Sequence, residues 1–175
     1  MLNKTNKTVK IFVSAILIIV FVLIDQAFKS MAISLLKDKS DLIIIKDVLQ
    51  LHYLENTGAA FSMLEGQQQL FAITTPILVL ILIYILYKMP ASQKYKALDY
   101  IIVFVISGAI GNYIDRISKN YVVDFIYFSL INFPVFNVAD IYVTCSVIVL
   151  ILLVLFYYKD EDFDEIGKAV LPWKK

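Results

Sequence analysis

Four apolar runs, each close to the roughly 20 residues that cross a hydrocarbon core, constrain this chain of 175 residues more than any other feature. They are IFVSAILIIVFVLIDQAF at 11–28, LFAITTPILVLILIYILY at 70–87, ALDYIIVFVISGAIGNYI at 97–114, and the stretch 138–158. Inside a bilayer only helices or closed barrels satisfy every backbone polar group, and continuous runs of this length fit helices. The chain is 60% hydrophobic with a mean hydropathy of +0.77, well above the roughly 45–50% apolar share of soluble domains. The predicted fold class is therefore a mainly α membrane protein, one membrane domain over 1–175 with four transmembrane helices. Pro76, Ser107, Gly108, Ala109 and Gly111 suit such helices, where small side chains allow close contact. Lys4, Lys7 and Lys10 precede the first run as in a secretory signal, but no small-x-small cleavage site follows it, so it reads as an uncleaved helix.

Four spans put both termini on one side. Lys4, Lys7, Lys10, Lys88, Lys94, Lys96, Lys159, Lys168, Lys174 and Lys175 fall on that side, and Lys29, Lys37, Lys39, Lys46, Arg116 and Lys119 on the other. The positive-inside rule makes the richer side cytoplasmic. Residues 29–69 then form an extracytoplasmic loop, in which Leu49, Leu51 and Tyr53 alternate with Gln50 and His52 as in a half-buried strand. A small antiparallel sheet on the outer face is expected there, entered through a charged turn at 37–41. Residues 159–175 form a cytoplasmic tail, either a short interfacial helix built on Phe163, Ile166 and Val170 with Trp173 nearby, or a solvated segment.

A net charge of +1 gives no basic footprint for nucleic acid. Cys145 is the one cysteine, so no internal disulfide forms; it and the lone His52 make no zinc pattern, and no metal is predicted.

Polar residues that break the apolar pattern gather at one plane, the outer boundary. Asp25 and Gln26 end the first run, Asn112, Asp115 and Arg116 the third, Asn137 and Asp140 open the fourth, and Asn56-Thr57-Gly58 precedes the second. Asp99, at the inner start of the third run, is expected to meet water. Ionisable groups at membrane depth are costly and mark functional sites. Asn112, Asp115 and Arg116 share a helix face by their spacing, with Arg116 able to grip a carboxylate and Asp115 expected to be neutralised by a cation.

Asp124 and Asp140 stand apart, each embedded in Val, Ile, Phe and Ala within YVVDFIYFSLINFPVFNVADIYVT at 121–144. Asn132-Phe133-Pro134 signals a turn that returns the chain, bringing Asp124, in the loop after the third run, opposite the start of the fourth. Asn137 as N-cap places Asp140 at N3, where the helix dipole favours negative charge. Two carboxylates in a semi-dry site do not both ionise readily. The expectation is an ionised Asp140 and a protonated Asp124, titrating jointly so that the proton's home between them stays open. Such a pair can activate water and polarise a carbonyl, as in aspartic proteases.

The residues D-Q-A-F-K at 25–29, N-T-G-A-A-F-S at 56–62, G-A-I-G-N-Y-I-D-R at 108–116, V-V-D-F-I at 122–126 and F-P-V-F-N-V-A-D at 133–140 resemble lipoprotein signal peptidase (signal peptidase II), the bacterial membrane aspartic protease family. The pieces occur in family order across about two thirds of the chain. The resemblance implies Asp124 and Asp140 as the catalytic pair, with Asp25, Asn56, Gly108, Asn112, Asp115, Arg116, Asn137 and Ala139 shaping or supporting the site. It implies an intramembrane aspartic endopeptidase that removes the signal peptide of a prolipoprotein by cutting before a diacylglyceryl cysteine. It further implies no cofactor, membrane lipids as surroundings, globomycin-type cyclic peptides as inhibitors, a monomer, and a place in the bacterial cytoplasmic (inner) membrane with the site near the outer face. Closure of Gly58-Ala59-Ala60 over the cleft is a further expectation. Where the family often has Gly two residues before V-V-D, this chain has Asn120, which tolerates left-handed backbone better than most residues. An ion-coupled carrier is the main rival reading, but carriers need polar groups near the midplane and usually internal repeats, and the middles of the second and fourth runs are apolar. A structural subunit without chemistry would leave the clustered Asp and Asn residues surplus.

Overall fold

The computed structural model describes residues 4–58 and 67–171. Four helices are long and apolar enough to cross a membrane: α1 (Lys4–Leu36), α2 (Gln68–Lys88), α3 (Lys96–Lys119, preceded by a 3-10 turn at Gln93–Tyr95) and α4 (Val138–Phe156). A three-stranded antiparallel sheet, in the order β1 (Leu42–Ile45), β2 (Leu49–Asn56), β3 (Val122–Tyr127), sits at one end of the bundle. A final helix, α5 (Asp160–Val170), packs at the opposite end. The chain is thus a multi-pass, mainly helical membrane protein with a small sheet.

The helices outrun the apolar runs that signal them. α1 continues past Phe28 to Leu36 because Lys29, which ends the first run, is neutralised one turn back by Asp25 and nothing in KSMAISLL breaks a helix. Its added turns bring Ala32 and Leu36 onto Val123 and Phe125 of β3, forming the core under the sheet. α3 likewise runs to Lys119 and stops at Asn120, whose φ of 65° is left-handed and whose N–H bonds the Arg116 carbonyl.

The third strand comes from outside the 29–69 loop. Asp124 is on β3, not in a loop: Leu54 pairs with Asp124 and Asn56 with Val122. Val122, Val123, Asp124 and Phe125 are all buried, so the period-2 alternation that betrays a half-buried strand is missing. At the opposite end Asp99 is buried and paired with Lys10 Nζ at 2.7 Å rather than in open water. There the Tyr95 hydroxyl lies between the carboxylates of Asp162 (3.0 Å) and Glu165 (2.7 Å), sharing its one proton with them, while Ile166 and Val170 join the Met89–Tyr95–Tyr158 cluster, so α5 is docked rather than free. Trp173, Ala59 and Ala60 lie outside the described residues.

Candidate active site

At the sheet end of the bundle, two carboxylates from different elements meet across two asparagines. Asp124, 1% exposed, accepts from Asn56 Nδ2 of β2 at 2.8 Å and from Asn137 Nδ2 at 2.6 Å. Asp140, half-buried in the first turn of α4, accepts from the Asn137 backbone N–H at 3.0 Å and from Asn112 Nδ2 at 2.9 Å. Asn137 Oδ1 accepts in return from the Asp140 N–H at 3.0 Å, closing a capping box at the N-terminus of α4. Asn137 Nδ2 also reaches Asn112 Oδ1 at 3.1 Å. A continuous chain, Asp124–Asn137–Asn112–Asp140, therefore joins residues of β3, α3 and α4, with Asn56 of β2 at its far side.

These partners treat the two acids differently. Both Asp140 oxygens accept from N–H donors, one of them the backbone N–H at the N-terminus of α4 and the other the Asn112 amide. Asp124 has no helix end to help it. Burial first, and the nearby Asp140 second, push its carboxyl from the ordinary 3.8 up to about 7, against the opposing hydrogen bonds of Asn56 and Asn137.

Behind the asparagines lies a charged cage centred on Lys29, the last residue of D-Q-A-F-K. Lys29 Nζ is fully buried and bonds Asp25 at 2.9 Å, Asp115 at 3.2 Å and Asn112 Oδ1 at 2.8 Å. Asp25 Oδ1 accepts the Ala139 N–H at 2.9 Å, Asp115 Oδ2 the Val123 N–H at 3.1 Å. The cage thus ties α1 to the residues flanking both acids. Its only local trace is the Asp25–Lys29 spacing of four, the geometry of a helical ion pair. Asp115 is neutralised as expected, by Lys29 and by Lys119 at 2.6 Å.

Arg116 braces a neighbouring loop. Rather than gripping a carboxylate, its Nη2 donates to the Gly58 carbonyl at 3.1 Å and its guanidinium lies 4.5 Å from the Phe71 ring centre. It reaches toward α2 and holds the Asn56-Thr57-Gly58 corner, where Gly58 N–H also bonds Asn56 Oδ1 at 2.8 Å.

Gly108 and Ala139 set how closely α3 and α4 approach. A Cβ at Gly108 would stand 2.6 Å from the Ala139 carbonyl oxygen and 2.8 Å from Val143 Cγ2. Backbone cannot yield cheaply, so Gly108→Ala is expected to push α4 outward and cost about 1–3 kcal/mol, offsetting its gain in helix propensity. A thermal melt in detergent at or above the wild-type Tm would contradict this.

The family model described as Signal peptidase (SPase) II matches residues 17–156, most of the chain and every residue of this constellation. This chain belongs to the signal peptidase II family. Similar proteins include the lipoprotein signal peptidase of Clostridium tetani (strain Massachusetts / E88), 36% identical over 153 residues that make up 86% of this chain and 95% of that one. The lipoprotein signal peptidase of Lactococcus lactis subsp. cremoris (strain SK11) is 35% identical over 146 residues, 83% of this chain and 95% of its own. A solved structure described as a bacterial membrane enzyme superposes with a TM-score of 0.75 at 30% identity, covering 85% of this chain and 92% of that one. Membership of the signal peptidase II family makes the protein a peptidase, and α5 lies beyond the segment that the family model matches.

Proposed function

We propose that the protein is an intramembrane aspartic endopeptidase that frees diacylglyceryl-modified prolipoproteins from their signal peptides, cutting before the lipidated cysteine. The observation that carries this reading is the Asp124–Asn137–Asn112–Asp140 chain, which holds one buried acid, its pKa pushed up to about 7, beside a second acid at a helix N-terminus. The lipoprotein substrate follows from the names of its relatives.

In the proposed cycle Asp140 takes a proton from water as its oxygen attacks the scissile carbonyl carbon, and Asp124 gives its proton to the carbonyl oxygen. The tetrahedral diol then collapses. Asp140 passes its proton to the leaving amine, the C–N bond breaks, and Asp124 recovers a proton from a diol hydroxyl. Water and two carboxyl groups suffice, with no cofactor or metal. Asn112 and Asn137 hold the acids in place, Asn56 aims Asp124, and the remaining predicted positions, Asp25, Gly108, Asp115, Arg116 and Ala139, fix the helices and the corner around them. The protein sits in the bacterial inner membrane as a monomer, both termini cytoplasmic and the site near the outer face, where globomycin-type peptides would compete with substrate.

The test is a pH profile on a synthetic diacylglyceryl precursor, with the unlipidated peptide as control. Asp124 must be protonated, so cleavage should fall tenfold per unit as pH rises above about 7. A raised folded-state pKa carries the same sign for stability: the contribution of Asp124 is complete below the ordinary 3.8 and lost as pH rises through about 7. A flat profile from pH 6 to pH 9 would exclude Asp124 as the acid, and equal cleavage of the unlipidated peptide would exclude the substrate class.

A further inference from the structure

Between α3 and α4 lies a cavity of about 430 Å³, walled by Ala97, Ile101 and Phe104 on one helix and Ile141, Cys145 and Val149 on the other. None of its lining residues is charged. Its longer wall, from Ile141 to Val149, covers eight helical rises, or about 12 Å at about 1.5 Å each. Spread over that length, the volume gives a mean cross-section of about 36 Å². A helix with its side chains, about 10–12 Å wide, needs about 80–110 Å². A slot of this size suits one unbranched hydrocarbon chain better than another helix.

Its position says which chain. Ile141 follows Asp140 directly, and Phe104 is one turn from Gly108, where α3 touches Ala139 and Val143. The upper end of the slot, at Ile141 and Phe104, thus lies within about one helical turn of Asp140, below the Gly108–Ala139 contact, and the slot runs along both helices away from the sheet end. We propose that it seats one acyl chain of the diacylglyceryl group on the substrate's cysteine, an inference that rests on the function proposed above. A chain attached near Asp140 and running into the membrane follows this course. Bulk lipid tails are as apolar as the slot, so transfer into it yields no hydrophobic gain and only close packing remains. Tethering decides the competition: a chain linked to a peptide already held at the acids meets the slot at high effective concentration, which free lipid lacks. Seating the chain there registers the scissile bond against Asp124 and Asp140.

Two substitutions block the slot at different depths, Cys145→Phe midway and Ala97→Phe at the far end. Each is assayed in nanodiscs with precursors carrying hexadecanoyl or butanoyl chains. For Cys145→Phe the KM of the hexadecanoyl precursor should rise at least about threefold, with its kcat and the butanoyl KM unchanged. Ala97→Phe should act in the same direction, more weakly. The butanoyl reaction reports that the variants fold. Equal effects on both precursors, or none on either, would overturn the slot, whereas a wild-type protein that cleaves neither precursor would overturn the proposed function itself. As a direct probe, a diazirine-tagged hexadecanoyl precursor on Asp140→Asn protein should leave its adduct within residues 141–149. Labelling of the same residues by diazirine phosphatidylcholine, undiminished by added precursor, would assign the slot to bulk lipid and defeat the proposal.

Discussion

Cleavage of a diacylglyceryl precursor by Asp124→Asn or Asp140→Asn protein should fall by about 10²–10⁴-fold while the fold survives. Neither amide can exchange the proton that the proposed cycle moves, so the loss should sit in kcat with KM little changed. The two variants differ in their stability signatures. Asp124 accepts from Asn56 and Asn137 at once, and an amide nitrogen cannot accept, so Asp124→Asn forfeits one of these bonds, costing about 1–2 kcal/mol at low pH. That deficit should shrink as pH rises through about 7, because wild type then carries the destabilising buried charge and the amide does not. Asp140→Asn weakens the capping box instead, at a cost of about 1 kcal/mol. Near-normal processing by either protein would end the two-acid mechanism.

The largest loss of stability is expected from Lys29→Met. Among the described residues its ammonium is the one cation that touches both Asp25 and Asp115, all three fully buried. Removing one partner of a buried ion pair leaves a charge stranded in a poor solvent, at about 3–5 kcal/mol. Among the described residues Asp115 keeps Lys119, but Asp25 keeps only the Gln26 and Ala139 N–H donors. The double variant Lys29→Met/Asp25→Asn should therefore recover a measurable part, about 0.5–3 kcal/mol, of the single variant's loss. Activity should fall too, because Lys29 holds the Asn112 oxygen and with it the amide that faces Asp140. Denaturant titration in detergent decides the matter: a loss below about 1 kcal/mol, or no recovery in the double variant, would show that water already solvates the cage.

Much of this was legible in advance. Asn137 and Asp140 stand at N-cap and N3, a relation fixed by three residues of sequence, and the capping box formed as that spacing requires. Asn120 stops α3 in left-handed backbone because its short polar side chain tolerates what glycine would otherwise supply. Other features had no local signature. β3 is buried on both faces, so its residues alternate in direction without alternating in polarity. Arg116 meets Phe71 and Gly58, partners that come from elsewhere in the chain.

By itself the sequence determined the four spans and which acids were out of place among apolar neighbours, since hydropathy over some 20 residues and helix-end spacing are short-range properties. Tertiary structure alone decided that Lys29 should be enclosed by Asp25, Asp115 and Asn112, that β3 should carry Asp124 onto the sheet, and that α3 and α4 should part below Gly108 into a slot. Those outcomes depend on groups far apart along the chain losing their water together, and such an energy exists only once the helices have packed.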